Sequence, residues 1–314
     1  MSLDLRPQTL GELFDRAFVL YRRHFWLFVG ITAIPGIFAL IMTLTQVAVQ
    51  NAVVRAPGAA AQADPAAALD GLATMMWLFA GLMAAMVIYW VVYMVALGAT
   101  TFAVSEIYVG RSVTIAHVYS RMRGRIGALV VLLLLIALRV GGVGVLGVFA
   151  VGLGAGVGTV VSPVLGVLAA FALGVGLFGA CVYMMLRYGV SVPALVIEGL
   201  PPGEAIRRSI ELTEGRIGRV FLLVLCATLV TYAAVVLLQG PFFALAVFSG
   251  LDTARGFWLN VLGSVAGTIG ATLTTPFMII GLALIYYDAR IREEGFDLEL
   301  TLAALDSAPD PAGA

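Results

Sequence analysis

The chain has 314 residues, of which 61% are hydrophobic and 11% are charged, and its mean hydropathy is +1.05. A soluble domain is about 45–50% apolar and about 25% charged, so this composition excludes soluble enzymes, disordered chains and fibrous proteins. Eighteen basic residues balance eighteen acidic ones, and every basic residue is an arginine. We therefore expect an integral membrane protein in which the placement of arginine is more informative than the net charge.

Residues that could carry chemistry are scarce. Cys181 and Cys226 both lie inside apolar runs without a CxxC spacing, and the histidines are His24 and His117. No HExxH, GxSxG or P-loop pattern occurs, and no nucleophile has a histidine and an acid near it in a loop. We expect no cofactor, no metal site, no enzyme activity and no nucleic-acid partner.

Six segments are long and apolar enough to cross a membrane, which takes about 20 residues. The predicted spans are Phe25–Val49, Leu72–Ala96, Gly127–Leu146, Pro163–Leu186, Val220–Phe243 and Phe257–Tyr287. The glycine density between Gly141 and Gly158 obscures where the third span ends and its turn begins. The Ala-, Pro- and Gly-rich segment Asn51–Gly71 is typical of a flexible loop.

The orientation follows from the arginines that flank the spans, because cytoplasmic loops of membrane proteins carry an excess of basic residues. One side has two, Arg55 and Arg255, and Arg139 lies inside a span. The other side has fifteen: Arg6, Arg16, Arg22, Arg23, Arg111, Arg121, Arg123, Arg125, Arg187, Arg207, Arg208, Arg216, Arg219, Arg290 and Arg292. We predict that both termini are cytoplasmic.

Short polar–apolar segments precede the spans. Thr9 and Glu12 form a T-x-x-E capping box, and the apolar residues that follow recur at helical spacing. The tetrapeptide Gly-Arg-Ile-Gly occurs at 124–127 and again at 215–218, each time at the start of a span. Before the second copy, Pro202 predicts a helix start, with Glu204–Arg208 and Arg207–Glu211 as i,i+4 pairs.

These recurrences indicate three parallel repeats, roughly 8–107, 108–198 and 199–290, within a single membrane domain of residues 1–299. The predicted fold is an all-α integral membrane protein. Its six transmembrane helices form three hairpin repeats, each preceded by a cytoplasmic amphipathic helix that lies in the membrane interface. Residues 300–314 are predicted to be a disordered cytoplasmic tail.

Arg139 is the one ionisable residue predicted well inside a span. It lies about 18 Å along the helix that starts at Gly127, where a charge costs at least about 2.5–3.5 kcal/mol at the bilayer centre. Arg139 is therefore a candidate lipid or substrate contact, either snorkelling to a lipid phosphate or lining a substrate site. Arg22, Arg23, Arg125 and Arg216 are candidate interfacial lipid contacts.

Glycines and prolines inside the spans have two interpretations. Gly142-x-Gly144-x-x-Gly147 and Gly174-x-Gly176-x-x-Gly179 match the dinucleotide fingerprint, but both lie in spans without the required strand and acid. Close helix packing explains them better, as it does Gly152-x-x-x-Gly156 and Gly263-x-x-x-Gly267. Three prolines lie inside spans and either kink their helices or help to build a binding site: Pro35, Pro241 and Pro276.

Two charge clusters stand beside the spans. Glu204, Arg207, Arg208 and Glu211 form the first, and Asp288, Arg290, Arg292, Glu293 and Glu294 form the second. A solvated face with local ion pairs is the plain interpretation. A docking surface for a partner protein or anionic lipid is the alternative.

Three stretches together resemble the bacterial family named for the membrane domain of glycerophosphoryl diester phosphodiesterases. They are Leu10–Phe18 with Tyr21–Phe25; Pro193–Gly199 with Ala205 and Leu212–Arg216; and Pro276–Phe277 with Tyr286–Arg290 and Arg292–Asp297. In some members that domain precedes a catalytic barrel, which needs about 250 residues, and the six spans leave no room for one. The resemblance implies a stand-alone module of the bacterial inner membrane.

Two functions stay open at this point. The first is a non-catalytic module that organises membrane lipids or a partner protein at the cytoplasmic face. The second is a transporter, or a membrane subunit of a transport system, for a small molecule or lipid. A polar-lined cavity reaching the midplane would favour the transporter, and a packed, dry centre would favour the organising module.

Overall fold

The computed structural model describes residues 9–55, 65–249 and 254–294, and they are helical apart from short connections. The elements are α1 (Leu10–Arg23), α2 (Phe25–Arg55), α3 (Pro65–Tyr108), α4 (Ile115–Arg123), α5 (Ile126–Val161), α6 (Pro163–Arg187), α7 (Ser191–Pro193), a π-helical turn (Ala194–Glu198, the π segment), α8 (Pro202–Thr213), α9 (Ile217–Ser249) and α10 (Ala254–Glu294). Among these residues, six helices are long and apolar enough to cross a membrane, which confirms the multi-pass prediction.

The long helices extend further than predicted. α5 continues unbroken through the glycine-rich stretch to Val161, so the predicted end at Leu146 is wrong. Glycine is tolerated there because an apolar environment forces the backbone to satisfy its own hydrogen bonds. The loop predicted at Asn51–Gly71 is also too wide, since α2 reaches Arg55 and α3 starts at Pro65. Residues 56–64 and the predicted tail lie outside the described residues.

The short helices begin where the sequence predicts. Thr9 and Glu12 make both hydrogen bonds of the capping box, and Pro202 occupies the first turn of α8. The two Gly-Arg-Ile-Gly copies differ in backbone conformation: Gly215 has φ +70°, whereas Gly124 has φ −72°. Only the second copy therefore needs a glycine to turn the chain into its span.

Consecutive long helices pack against each other as antiparallel pairs. α5 packs against α6 through a line of glycines, with Gly147 against Leu177 and Gly158 against the backbone of Gly166. α9 packs against α10 along its length, with Leu223 against Gly281. We call the end where α2, α5 and α9 start and α3, α6 and α10 finish the basal end, and the opposite end the far end.

The buried core is concentrated at the basal end. There α1, α4 and α8 each turn one face onto the bundle, and the α8 face of Ala205, Ile206, Ser209, Leu212 and Thr213 is buried. α10 is the central helix, because it contacts α9, α2, α1, α3, α8 and α7. Half of its most apolar 18-residue window is buried, against 11% for α5 and 6% for α6.

Exposed tryptophans mark both ends of the apolar layer. Trp26 stands at the start of α2 and is 80% exposed. Trp77 and Trp258 stand near the far end, at 80% and 62% exposure. Tryptophan is enriched at membrane–water interfaces because its ring is apolar and its N–H is polar. The exposed apolar surface between these positions is therefore that of a membrane-spanning bundle.

Candidate functional site

The carboxylate of Glu198, at the end of the π segment, lies against the side chains of two arginines and one tyrosine at the basal end. Its Oε1 lies 3.2 Å from Nε of Arg208 and 3.7 Å from Nε of Arg290. The hydroxyl of Tyr286, which is fully buried, donates to the same oxygen. The Glu198, Arg208 and Arg290 side chains are 17%, 19% and 16% exposed. The cluster therefore joins the π segment, α8 and α10 through largely desolvated charges.

Asp288 forms a second cluster on α10. Its carboxylate is 5% exposed, and Oδ2 accepts from Arg219 Nη1 at 2.6 Å and from Arg292 Nε at 2.9 Å. The prediction of a solvated charged face is wrong for this residue, because the start of α9 covers it. In the other predicted cluster, Arg207 and Glu211 are exposed and form the expected pair at 3.6 Å.

Arg125 lies against the π segment. Its Nη1 donates to the Leu195 carbonyl oxygen at 3.3 Å and also to that of Val196. A π-helical turn displaces the regular i,i+4 bonding, so carbonyls along it can accept from a side chain. Gly199, at φ +72°, ends the segment. Arg125 thus joins the start of α5 to the segment whose last residue carries the Glu198 cluster.

Hydroxyl groups donate hydrogen bonds to two backbone carbonyls that lack a helical partner because of a proline. Pro35 has no N–H, so the carbonyl of Ile31 loses its helical partner. Tyr119 of α4 donates to this oxygen at 2.8 Å. Burial raises the pKa of Tyr119 from 10.0 to about 12, which favours the neutral hydroxyl that donates this bond.

The same arrangement recurs on α10. Pro276 frees the Thr272 carbonyl, which accepts from the Thr32 hydroxyl at 3.2 Å. The next carbonyl, of Leu273, accepts from Tyr21 of α1 at 2.5 Å. These contacts favour the interpretation of Pro35 and Pro276 as kinks whose open carbonyls the protein itself satisfies.

Aromatic rings connect α10 to the short helix α1 and to α3. Phe277 stacks on Phe14, with centroids 6.2 Å apart. Tyr287 stacks on Tyr108, with centroids 5.4 Å apart and planes 12° from parallel. The three stretches on which the family resemblance rests therefore meet around the basal half of α10.

The sequence-predicted site residues do not form one site. Arg139 lies on the exposed surface of α5, and no ion pair or hydrogen bond of its side chain occurs within the described part of the chain. Arg22 and Arg23 are exposed at the end of α1, while Arg125 and Arg216 are partly buried at the two span starts. Sequence reasoning missed Glu198 and Tyr286 as a pair, because no local spacing links residues 88 positions apart.

Some of the glycines in the predicted motifs pack against a neighbouring helix, and others face open space. Gly263 and Gly267 pack closely against Phe242 and Gln239 of α9, as predicted. Gly152 and Gly156 face open space instead, so the packing predicted for them within this chain is wrong. Five of the six glycines in the two fingerprint matches also face open space. They are Gly142 and Gly144 of the first match and Gly174, Gly176 and Gly179 of the second.

One other polar site lies on the described helices, away from the basal end. A groove of about 270 Å³ lies between α2 and α3, where Thr43, Gln46, Tyr89 and Trp90 line it among apolar side chains. Among the described residues no group of three His, Cys, Asp or Glu side chains is placed to hold a metal ion. No protein family, curated protein or solved structure matches this chain.

Proposed function

We propose that the chain is a non-catalytic membrane module whose basal end faces the cytoplasm and organises anionic lipids or a partner protein. The orientation rests on the fifteen-to-two distribution of arginine flanking the spans. In this proposal the membrane is the inner membrane of a bacterium. The family resemblance, which implies the same location and a stand-alone module, stays part of the proposal.

One observation carries the proposal: at the basal end the short helices, the starts and ends of the long helices and the buried charges form a single interlocked body. Glu198 and Asp288 both place their oxygens against arginines, and Arg125 is bound to backbone carbonyls. Groups held in this way position helices and leave no acid–base pair open to a substrate. Such an arrangement suits a rigid platform better than a reaction centre.

The order of elements supports a three-unit organisation, in which a short helix precedes each pair of long helices. In this proposal α1 with α2–α3, α4 with α5–α6, and α8 with α9–α10 are the three repeats. The buried faces of α4 and α8 lie on protein. Their opposite, charged faces are available at the membrane surface or to a partner.

Site-specific photo-crosslinking tests the function. A photoreactive amino acid is placed at Arg207 or Glu211, whose side chains are 74% and 52% exposed on α8, with the matched control at Phe248, which is 89% exposed near the far end. From the α8 positions we expect adducts with anionic lipid or with one discrete protein. From Phe248 we expect lipid adducts without a preference for anionic headgroups, and no protein adduct. Equal adducts at all three positions would contradict the proposal.

The second candidate, transport, is favoured by one observation, the groove between α2 and α3 with Gln46 and Thr43 on its wall. An amide within a span is costly unless it has a partner, and often marks a pathway. If the groove carries a solute, the wild type takes that solute up into vesicles, and Gln46→Leu abolishes this uptake while the α8 crosslinks stay intact. Under the organising function neither the wild type nor Gln46→Leu takes up solute, and both give the same α8 crosslinks.

A further inference from the structure

The short helix α4 lies against the side of α2 and α3, close to the basal interface. Ile115 packs on Gly30 of α2. Met122 packs on Gly98 of α3. Gly30 is four residues, or about 6 Å, along α2 from Trp26, which is 80% exposed at the basal end. Because a helix is about 10 Å wide, α4 occupies the level at which this tryptophan marks the membrane interface.

The surface changes from polar to apolar where α4 ends and α5 begins. α5 exposes large apolar side chains from its start, with Ile126 at 38%, Val131 at 47% and Leu134 at 59% exposure. Placing that surface in water is unfavourable, so it belongs to the hydrocarbon. The exposed residues of α4 include no large apolar side chain, and they are Ala116, His117, Ser120, Arg121 and Arg123. The outward face of α4 therefore belongs to the headgroup layer beside the hydrocarbon.

On this face Arg121 and His117 both lie against the ring of Phe102, a residue of α3. The Arg121 guanidinium lies 5.9 Å from the Phe102 ring centroid. The His117 ring centroid lies 6.3 Å from the same centroid. Residues i and i+4 are neighbours on a helix surface, so the two side chains stand side by side on α4. The aromatic ring holds the guanidinium by a cation–π contact, and within the described residues the Arg121 side chain has no ion pair or hydrogen bond. Its N–H groups are therefore available to an outside acceptor.

The charges around this pair favour an anion. Between Glu106 and Glu198 the chain has no Asp or Glu, and Glu106 is engaged by Arg111 at 3.4 Å. The short helix α8 differs, because the exposed charged residues on it and at its C-cap are three acids and one arginine: Glu204, Glu211, Glu214 and Arg207. An anionic headgroup is therefore attracted to the face of α4 and repelled from that of α8.

We propose that Arg121 and His117, held against Phe102, form a binding site for the phosphate of an anionic phospholipid in the basal leaflet. The planar guanidinium donates to phosphate oxygens in a matching geometry, and the imidazole adds a ring N–H donor. The inference rests on the proposed function, for which it names one lipid class and the helix that binds it. The site differs from the predicted lipid contacts, of which Arg125 donates to a carbonyl of the π segment instead.

Native mass spectrometry of the full chain in a neutral detergent tests this, with phosphatidylglycerol and phosphatidylcholine as the probes. Arg121→Gln should weaken phosphatidylglycerol binding about tenfold, because it removes a hydrogen bond between charged groups. His117→Phe keeps a ring on Phe102 but removes the N–H, and should weaken binding about fivefold. Phosphatidylcholine, whose headgroup is neutral overall, should bind the wild type more weakly and should bind all three proteins alike.

Two charge-matched controls separate a site from a general basic field. Arg123→Gln removes an exposed arginine on α4 that is rotated by about 200° from Arg121. It should weaken phosphatidylglycerol binding by no more than about twofold, because a charge without direct contact is screened. Arg255→Gln, at an exposed arginine of the far end, should bind like the wild type.

Three outcomes would overturn the site. They are equal weakening by Arg121→Gln and Arg123→Gln, equal affinity of the wild type for both lipids, and displacement of phosphatidylglycerol by millimolar inorganic phosphate, which would identify a free phosphate as the ligand. Thermal unfolding of each variant checks that it folds, as expected for substitutions of exposed residues. Failure of this site with specific α8 crosslinks would refute the lipid site alone, whereas equal adducts at the α8 positions and Phe248 would refute the proposed function.

Discussion

The hairpins α5–α6 and α9–α10 begin with the same Gly-Arg-Ile-Gly tetrapeptide, yet they occupy opposite environments. α10 lies at the centre of the molecule, and its glycines and threonines contact α9 and α2. Away from the basal end, α5 and α6 pack mainly on each other and expose valine, leucine and phenylalanine. The comparison teaches that an apolar run alone does not distinguish a lipid-facing helix from a central one.

Small and polar residues make the difference. Thr32 and Thr272 meet where Pro276 opens the α10 backbone, and Gly36 brings α2 close enough for that contact. Interhelical packing in membranes relies on such residues, because lipid tails are as apolar as leucine and provide no hydrophobic driving force. α5–α6 has glycines too, but only some of them face a neighbouring helix.

The largest expected effect is at the charged end of α10. Asp288→Ala removes one carboxylate acceptor of Arg219 and of Arg292, whose side chains are 26% and 29% exposed. A hydrogen bond to a charged group contributes about 1.5–3 kcal/mol and Asp288 accepts two, so we expect a pronounced fall in the thermal unfolding temperature in detergent. The control Glu211→Ala, which breaks the exposed pair with Arg207, should cost about 0–1 kcal/mol. Equal effects of the two substitutions would mean that the basal end is not an interlocked body.

The next effect compares a packed glycine with an open one in the α5–α6 hairpin. A Cβ on Gly158 would lie 2.8 Å from the Gly166 backbone, whereas one on Gly156 would meet nothing within 4 Å. Gly158→Ala should therefore destabilise by about 1–3 kcal/mol. Gly156→Ala should be neutral or slightly stabilising. Both are measured by unfolding in mixed micelles, and a reversed order would show that the register of α5 and α6 is different.

A double-mutant cycle tests the proline–tyrosine contact. Tyr119→Phe removes the donor to the Ile31 carbonyl, which Pro35 leaves open, and should cost about 1–3 kcal/mol. Pro35→Ala restores the helical N–H, so in that background Tyr119→Phe should cost much less. Additive effects of the two substitutions would show that the hydroxyl does not serve the open carbonyl.

The same tyrosine gives the last effect, a pH dependence of stability that appears only above pH 10. Because burial raises its pKa from 10.0 to about 12, the folded state holds the proton more tightly than the unfolded state. The resulting stabilisation is complete below pH 10 and is lost as pH rises from 10 to 12. Tyr119→Phe should lose less stability than the wild type over this interval in detergent-solubilised protein. Parallel curves for the two proteins would contradict the buried hydroxyl.

The parts of this fold that depend on local signals were predictable. Hydropathy identified six spans, the Thr9 capping box and Pro202 marked helix starts, and Gly263-x-x-x-Gly267 marked a close contact. The burial of Asp288 was not predictable, because its partner Arg219 lies 69 residues away in the sequence. The exposure of Gly152 and Gly156 and the continuity of α5 depend on which neighbours are present, information that a single apolar sequence does not contain.

The depth of α5 in the membrane tests the central claim most directly, that the exposed apolar surface of the bundle is embedded in the hydrocarbon from the basal end onward. Nitroxide labels are placed singly along its exposed face at Leu134, Leu138, Leu146, Leu153 and Val160, after Cys181 and Cys226 are replaced by alanine. The collision rates of each nitroxide with oxygen and with a polar nickel reagent in bilayers then report the depth of that label. We predict that Leu134, Leu138 and Leu146 are protected from the polar reagent and accessible to oxygen, because the apolar surface that α5 exposes includes Val131. Access of the polar reagent to Leu134 and Leu138 would show that this half of α5 lies outside the hydrocarbon and would contradict the account.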